Sequence, residues 1–406
     1  MRIAYISNEY PPLVYGGLGV YVDSISRHIA SLGHGIAVFT WGEDGLEEQE
    51  AVDGVDVSRV QPLPMRDCLE IFLSQETLGW GAGLRFLLDL LSYNQISAER
   101  IISDGPFDLC VSQDWLGLPG GMAVRRAGVP LIYHVHGLET GRSERPNPQL
   151  VALERRGTEV ADKVITVSYA MRQELVALGA SPDKIAVCYH GVDSGFFDPG
   201  RADPVRLSAL RERYGLGDED TVLLFLGRLE PVKGVLQLLS ALPAVRRQHP
   251  EVKLLLVGKG SLEVPARREA ERQGGIILVT DFLDSEDKML HYALADLCVF
   301  PSLYEPFGIV ALEAASMGRP AVVGASGTSG LREIVQNPSS ESPTGVHVNA
   351  RDPGDIAWGI NLALADPVMM SEWGRNARKR ALSEFTWQRA VDRTLGIYQE
   401  VASRQS

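Results

Sequence analysis

Residues 221–234 read TVLLFLGRLEPVKG, and this stretch decides how the chain is organised. Thr221 to Leu226 is an apolar run of the kind that forms a strand buried on both faces of a parallel sheet. Gly227 to Gly234 is a turn-rich loop carrying Arg228 and Lys233. A helix-length segment follows, and then a second strand-like run, Val252 to Val257. Strand, loop, helix and strand in that order define a βαβ unit. Further strands are expected at Ile276 to Val279, Leu297 to Phe300 and Ala321 to Val323.

Upstream, Pro199 to Asp220 is charged and rich in turn residues, and before it the same alternation has already run once. Arg2 to Ser7 reads as a buried strand. Leu18, Val22, Ile25, Ile29 and Leu32 then recur at helical spacing, Gly33 can end that helix, and Ile36 to Trp41 supplies the next strand. Strand-like runs follow at Asp108 to Ser112, Leu131 to Val135, Val164 to Val167 and Ile185 to Tyr189. The expected fold class is α/β, with two Rossmann-like, doubly wound parallel-sheet domains in series. The first covers 1–196 and the second 197–386. Ligands in such sheets bind beyond the carboxyl ends of the strands, so the two sheets are expected to face each other across a cleft.

The bulk composition agrees. A chain of 406 residues suits two domains, and 45% apolar with 22% charged residues is a globular profile. A formal net charge of −13 disfavours nucleic-acid and anionic-membrane partners, which need clustered cations. Cys68, Cys110, Cys188 and Cys298 have no metal-binding or redox spacing, and the last three lie in apolar runs as small buried side chains. Met1-Arg2 leads straight into a strand without a signal-peptide pattern, so a cytoplasmic protein is expected.

Chemistry is concentrated in loops that follow strands. Residues 301–320 read PSLYEPFGIVALEAASMGRP, with Glu305 in a loop and a helix starting near Phe307-Gly308. The first-turn amides of Gly308, Ile309 and Val310 would have no intrahelical acceptor and would sit at the positive end of the helix dipole, a natural site for a diphosphate. Glu313 follows about 8 Å along the axis. One carboxylate can bond groups on one side of a bound diphosphate and the other can reach the far side, where a sugar and a ribose would fit. A bare glutamate pair at this spacing is usually ordinary surface; within the whole string it reads as a site.

In Gly227 to Gly234, Arg228 can grip two phosphate oxygens while Lys233 acts as a point charge. Fixed cations there would stabilise charge building on a leaving phosphate. Tyr15, Gly16 and Gly17, in the first strand-to-helix turn, permit close backbone approach to an anion or sugar, although this signal alone is weak. In Tyr133-His134-Val135-His136-Gly137, His136 sits where strand becomes loop and can bond a sugar hydroxyl, whereas His134 reads as a packed core residue.

Taken together, these strings resemble retaining glycosyltransferases of family four with the GT-B fold and their glycogen and starch synthase relatives. EPFGIVALEAASMGRP resembles the family's motif of two glutamates separated by seven residues, GRLEPVKG its Arg/Lys loop, YGGLGVYV its glycine loop and VHGLE the position of its active-site histidine. GASGTSGLREIV is similar to a glycine-rich segment near the donor. Glu384 to Trp387 resembles the start of a last helix, 387–406, that packs back on the N-terminal domain.

The resemblance implies transfer of a sugar from a nucleotide diphosphate to a hydroxyl acceptor, with the α-configuration kept and no metal or other cofactor. Arg228 and Lys233 would hold the diphosphate, Glu305 the transferring sugar and Glu313 the ribose. Gly308 and Ile309 would offer amides beside Phe307, Gly16 and Gly17 would face phosphate and sugar, and His136 would touch the sugar. Gln113-Asp114-Trp115 and Leu138 to Arg142 resemble acceptor-side strings of small glycogen synthases, making Tyr15, Asp114, Glu139 and Arg142 candidate acceptor contacts. Gln113 stands where His-Asp-Trp is more usual, and Val14-Tyr15 where many glycogen synthases carry Lys-Thr or Lys-Val. The expected reaction is glucosyl transfer from ADP- or UDP-glucose to an α-glucan. A small-molecule, sugar-phosphate or lipid-linked acceptor is the alternative, and a sugar-binding protein without turnover a more distant one. A membrane-touching helix within Ile71 to Leu91 is disfavoured, because Arg85 is the one basic residue that accompanies its apolar ones.

Overall fold

The computed structural model describes residues 1–14, 16–63, 81–281 and 283–404. Tyr15, Cys68 and the part of the segment Ile71 to Leu91 up to residue 80 therefore lie outside the described residues, while residues 81–91 belong to the helix Gly81–Ser103. The chain forms two compact units. One comprises Met1–Val167, Arg172–Cys188 and Ala390–Ser406, and the other Ser168–Met171 and Tyr189–Arg389. The crossing falls between Cys188 and Tyr189 rather than at residue 196. The reason is local: the Val192 amide donates to the Phe385 carbonyl, and Gly191 lies so close to Trp387 that a β-carbon would sit 2.4 Å from its nitrogen.

In the first unit, β1 (Arg2–Ile6), β2 (Gly35–Trp41), β3 (Gln49–Val52), β4 (Val55–Val60), β5 (Leu109–Gln113), β6 (Leu131–Val135), β7 (Lys163–Thr166) and β8 (Ile185–Val187) form one sheet. Its order is β3-β4-β2-β1-β5-β6-β7-β8, parallel throughout except for the β3–β4 hairpin. Asp53 and Gly54 form that hairpin's two-residue turn, both at positive φ. The helix Gly17–Ser31 buries Tyr21, Val22, Ile25 and Ile29, much as its apolar spacing requires. The closing helix, Trp387–Ser403, buries Tyr398, whose hydroxyl lies 3.0 Å from that of Tyr5 on β1.

The second unit has β9 (Thr221–Leu226), β10 (Val252–Val257), β11 (Ile276–Val279), β12 (Leu297–Phe300), β13 (Ala321–Gly324) and β14 (Gly345–Val348). The order is β11-β10-β9-β12-β13-β14 and every pair is parallel. Its core packs Leu223, Leu254, Val299 and Val322 against Leu238, Leu242, Ile356 and Ile360 of the helices Val235–Arg246 and Pro353–Leu364. Strand order reverses direction between β1 and β5 in the first sheet and between β9 and β12 in the second. Those are the two places where loops diverge and leave a crevice for a ligand. Among the described residues, no helix is long and apolar enough to cross a membrane.

Candidate functional site

In the second unit the loops after β9 and β12 meet at the switch point. The amides of Leu303 and Tyr304 donate to the Val232 carbonyl at 2.8 and 3.4 Å. Gly234 has a positive φ and lies so close to Pro301 that a β-carbon there would be 1.9 Å from its carbonyl oxygen, so only glycine lets the loops approach this closely. The contact brings Lys233 Nζ to 2.5 Å from Glu305 Oε2, with Ser302 Oγ donating to the same oxygen at 3.2 Å. Both side chains are mostly buried, whereas Arg228 is exposed at the rim.

Two more loops close around this pair. The Glu305 amide donates to the Thr328 carbonyl, and the Gly330 amide donates back to the Glu305 carbonyl, so the segment after β13 pins Glu305 by backbone on both sides. After β10, the Leu229 amide donates to the Lys259 carbonyl, and Ser261 bonds Glu230 through both its amide and its hydroxyl. Those two bonds hold the Glu230 carboxyl below its ordinary range. Ser302, Glu230, Ser261 and the turn Gly258–Ser261 are therefore parts of the site that the sequence reading passed over. The glycines at 258 and 260 were its one available signal.

The helix of the two-glutamate string runs Ile309–Ser316, one residue later than Gly308, which caps it at φ 114°. The first amides to reach the Gly308 carbonyl are those of Ala311 and Leu312, so those of Ile309 and Val310 have no intrahelical acceptor. Packing by itself requires glycine at 308: a β-carbon would lie 2.3 Å from Leu331 Cδ2. Phe307 is buried against Tyr189, His190 and Phe385 and anchors the loop, while the Pro306 carbonyl accepts from Ser168 Oγ at 2.6 Å. Glu313 is buried and accepts from the Tyr292 hydroxyl at 2.7 Å. Burial raises its pKa against the opposing pull of Lys288 and that hydrogen bond.

The first unit carries a second constellation at its own switch point. Asp114, at positive φ, directly follows β5 and is 2% exposed. Its two oxygens are already engaged: Oδ1 accepts from the His136 amide at 2.6 Å and Oδ2 pairs with Arg142 at 2.6 Å. The structure thus makes Asp114 a buried brace for the His136–Arg142 loop. His136 Nε2 lies 2.8 Å from Gln113 Oε1, and its ring stacks on His134 with centroids 4.3 Å apart. Glu139 Oε1 accepts from the Asn147 amide at 3.0 Å. Gly16 and Gly17 open the helix after β1, exposed, with the Gly16 amide bonded to Glu9 Oε2 at 3.1 Å.

Two nucleotide-binding-type sheets, each with polar side chains gathered where its strand order reverses, define the architectural class, and comparison with known proteins gives the family. Residues 16–191 match the glycosyl transferase 4-like domain, and residues 208–380 match glycosyl transferases group 1. A glycogen synthase of Mycobacterium tuberculosis is 32% identical, covering 98% of this chain and 94% of its own length. A D-inositol 3-phosphate glycosyltransferase of Catenulispora acidiphila is 31% identical, with the same two coverages. Among solved structures, sucrose-phosphate synthase from Thermosynechococcus elongatus superposes with a TM-score of 0.79 over 99% of both chains at 23% identity. The chain belongs to the family-four glycosyltransferases of the GT-B fold.

Proposed function

We propose that the protein transfers glucose from ADP- or UDP-glucose to an α-glucan hydroxyl and keeps the α-configuration. The observation that carries this reading is the Lys233–Glu305 pair, set at the second sheet's switch point just ahead of a helix with open amides at Ile309 and Val310. The pair divides the work on a bound donor. Lys233, Arg228 and the helix amides neutralise the diphosphate, so the protein supplies the positive charge without a metal ion. Glu305 then accepts hydrogen bonds from the hydroxyls of the glucose being moved, and Glu313 from those of the ribose.

As the anomeric carbon–oxygen bond breaks, charge grows on the β-phosphate between the two cations. The acceptor hydroxyl attacks from the same face, and its proton passes to the departing phosphate oxygen. No protein base is required. In the first unit, His136, framed by Asp114 and Gln113, is a group that can bond a sugar hydroxyl, and Gly16 and Gly17 are exposed without side chains. Glu139 and Arg142 are the acceptor-side groups of the same loop.

A panel of nucleotide sugars against glucan, inositol phosphate and sugar-phosphate acceptors, with the product anomer determined, tests the reading. Nucleotide release with glucan and an α-linked product supports it; binding without turnover across the whole panel sinks it. The near-equal identity to a glycogen synthase and an inositol-phosphate glycosyltransferase makes a small phosphorylated acceptor the second reading, and the same panel separates the two.

A further inference from the structure

The helix Pro148–Val160 of the first unit buries Glu154, Gly157 and Thr158, a face with no large apolar side chain. It is pressed hard onto its neighbours. A β-carbon at Gly157 would lie 2.4 Å from Leu118 Cδ2 and 3.1 Å from Tyr133 Cε1. Glu154 is 0% exposed. Its Oε1 accepts from the Glu139 amide at 2.9 Å, while Oε2 is buried without a hydrogen-bond partner. A carboxylate held this way costs stability, and that cost points to a purpose beyond packing.

The purpose is visible in what it holds. Glu139 begins the short helix Glu139–Arg142, and the Glu139 carboxylate in turn bonds the Asn147 amide at the cap of the helix that carries Glu154. Each glutamate thus fixes the other's segment. From the far end of the loop, Arg142 reaches Asp114, and Asp114 holds the His136 amide. We propose that Glu154 is a positioning residue: its carboxylate fixes the His136–Arg142 loop and thereby sets how an acceptor is bound. The acceptor half of this statement rests on the function proposed above, whereas the loop half does not.

The groups facing Glu154 are Asp114 from the helix Asp114–Arg126, Tyr133 from β6, and Glu139 and Arg142 from the short helix. Burial is the largest influence on its carboxyl, offset by the Glu139 amide, reinforced by Asp114 and opposed by Arg142, and the balance lifts it to about 7. The loop's anchor therefore changes charge near neutrality.

Two variants and two readouts test this. Glu154→Ala should speed amide hydrogen exchange across residues 137–143 and raise the acceptor KM, each by about tenfold for a lost buried hydrogen bond, with donor KM unchanged. Glu154→Gln keeps an oxygen for the Glu139 amide. It should restore both values at neutral pH and remove one ionisation near pH 7 from the acceptor kcat/KM profile. Unchanged exchange in Glu154→Ala, equal rises in donor and acceptor KM, or a glutamine variant that behaves like alanine would each overturn the assignment. The exchange readout needs no substrate, so a wild-type protein without turnover would sink the glucan reading alone.

Discussion

Lys233 Nζ lies 2.5 Å from Glu305 Oε2, and the two residues come from loops after strands that are adjacent in the sheet but three apart in chain order. The pair therefore exists only because the sheet reverses direction between β9 and β12. With no donor bound, each residue satisfies the other's charge. In the proposed reaction a diphosphate would draw the ammonium and glucose hydroxyls would occupy the carboxylate, so the pair would serve as a binding site rather than a brace.

Lys233→Ala and Glu305→Gln should each lower kcat by about 100- to 1,000-fold, the usual loss when one fixed charge or hydrogen bond facing a transition state is removed. Glu305→Gln should unfold within a few degrees of wild type, because Ser302 still bonds residue 305, whereas Lys233→Ala leaves the mostly buried Glu305 carboxylate without its counter-charge and should unfold at a lower temperature. Near-normal turnover in both would remove these residues from the reaction.

Gly308→Ala should destabilise the second unit. A φ of 114° costs a side-chain-bearing residue about 1–3 kcal/mol, and the added carbon also meets Leu331. Leu331 is fully buried, so Leu331→Ala has a cavity cost of its own, and the comparison is made on that background: adding Gly308→Ala to Leu331→Ala should meet no clash and cost the backbone strain alone. No further loss on that background would place the whole cost of Gly308→Ala in packing.

Glu313 links stability to pH. Burial raises its carboxyl pKa in the folded state. A group of this kind contributes stability below its unfolded pKa and loses that contribution as pH climbs through the folded value. Glu313→Gln leaves an acceptor for Tyr292 and carries no charge. It should therefore raise the unfolding temperature at about pH 8, change it little near pH 3, and weaken donor binding. A lower unfolding temperature at both pH values would contradict this.

Because Arg228, Lys233 and the helix amides are assigned the whole diphosphate charge, turnover should survive prolonged EDTA treatment. Loss of activity on chelation, restored by magnesium or manganese, would show that a cation shares that role.

Much of the second unit was legible because its strands are short apolar runs with sharp polar edges; β9 to β12 occupy the expected residues. β14, which reads Gly-Val-His-Val, lacks that contrast and was missed. So was the β3–β4 hairpin, although Asp53-Gly54 is a recognisable turn pair. At the candidate site, loop residues such as Arg228, Lys233 and Glu305 stand out because charge after a strand is chemically conspicuous. Glu154 does not: a glutamate among Arg155, Arg156 and Glu159 reads as a solvated face, and only the packing of Gly157 against Leu118 turns it inward. The placement of Ser168–Met171 with the second unit was equally hidden, since it depends on bonds to Pro306 and Glu333 far along the chain.

A crystal structure of the protein with ADP-glucose or UDP-glucose bound is the most direct measurement. The account predicts the pyrophosphate within hydrogen-bond distance of the Ile309 and Val310 amides, contacted by Arg228 and Lys233, with the glucose hydroxyls on Glu305. A diphosphate seated elsewhere, with the Lys233–Glu305 contact undisturbed, would contradict it.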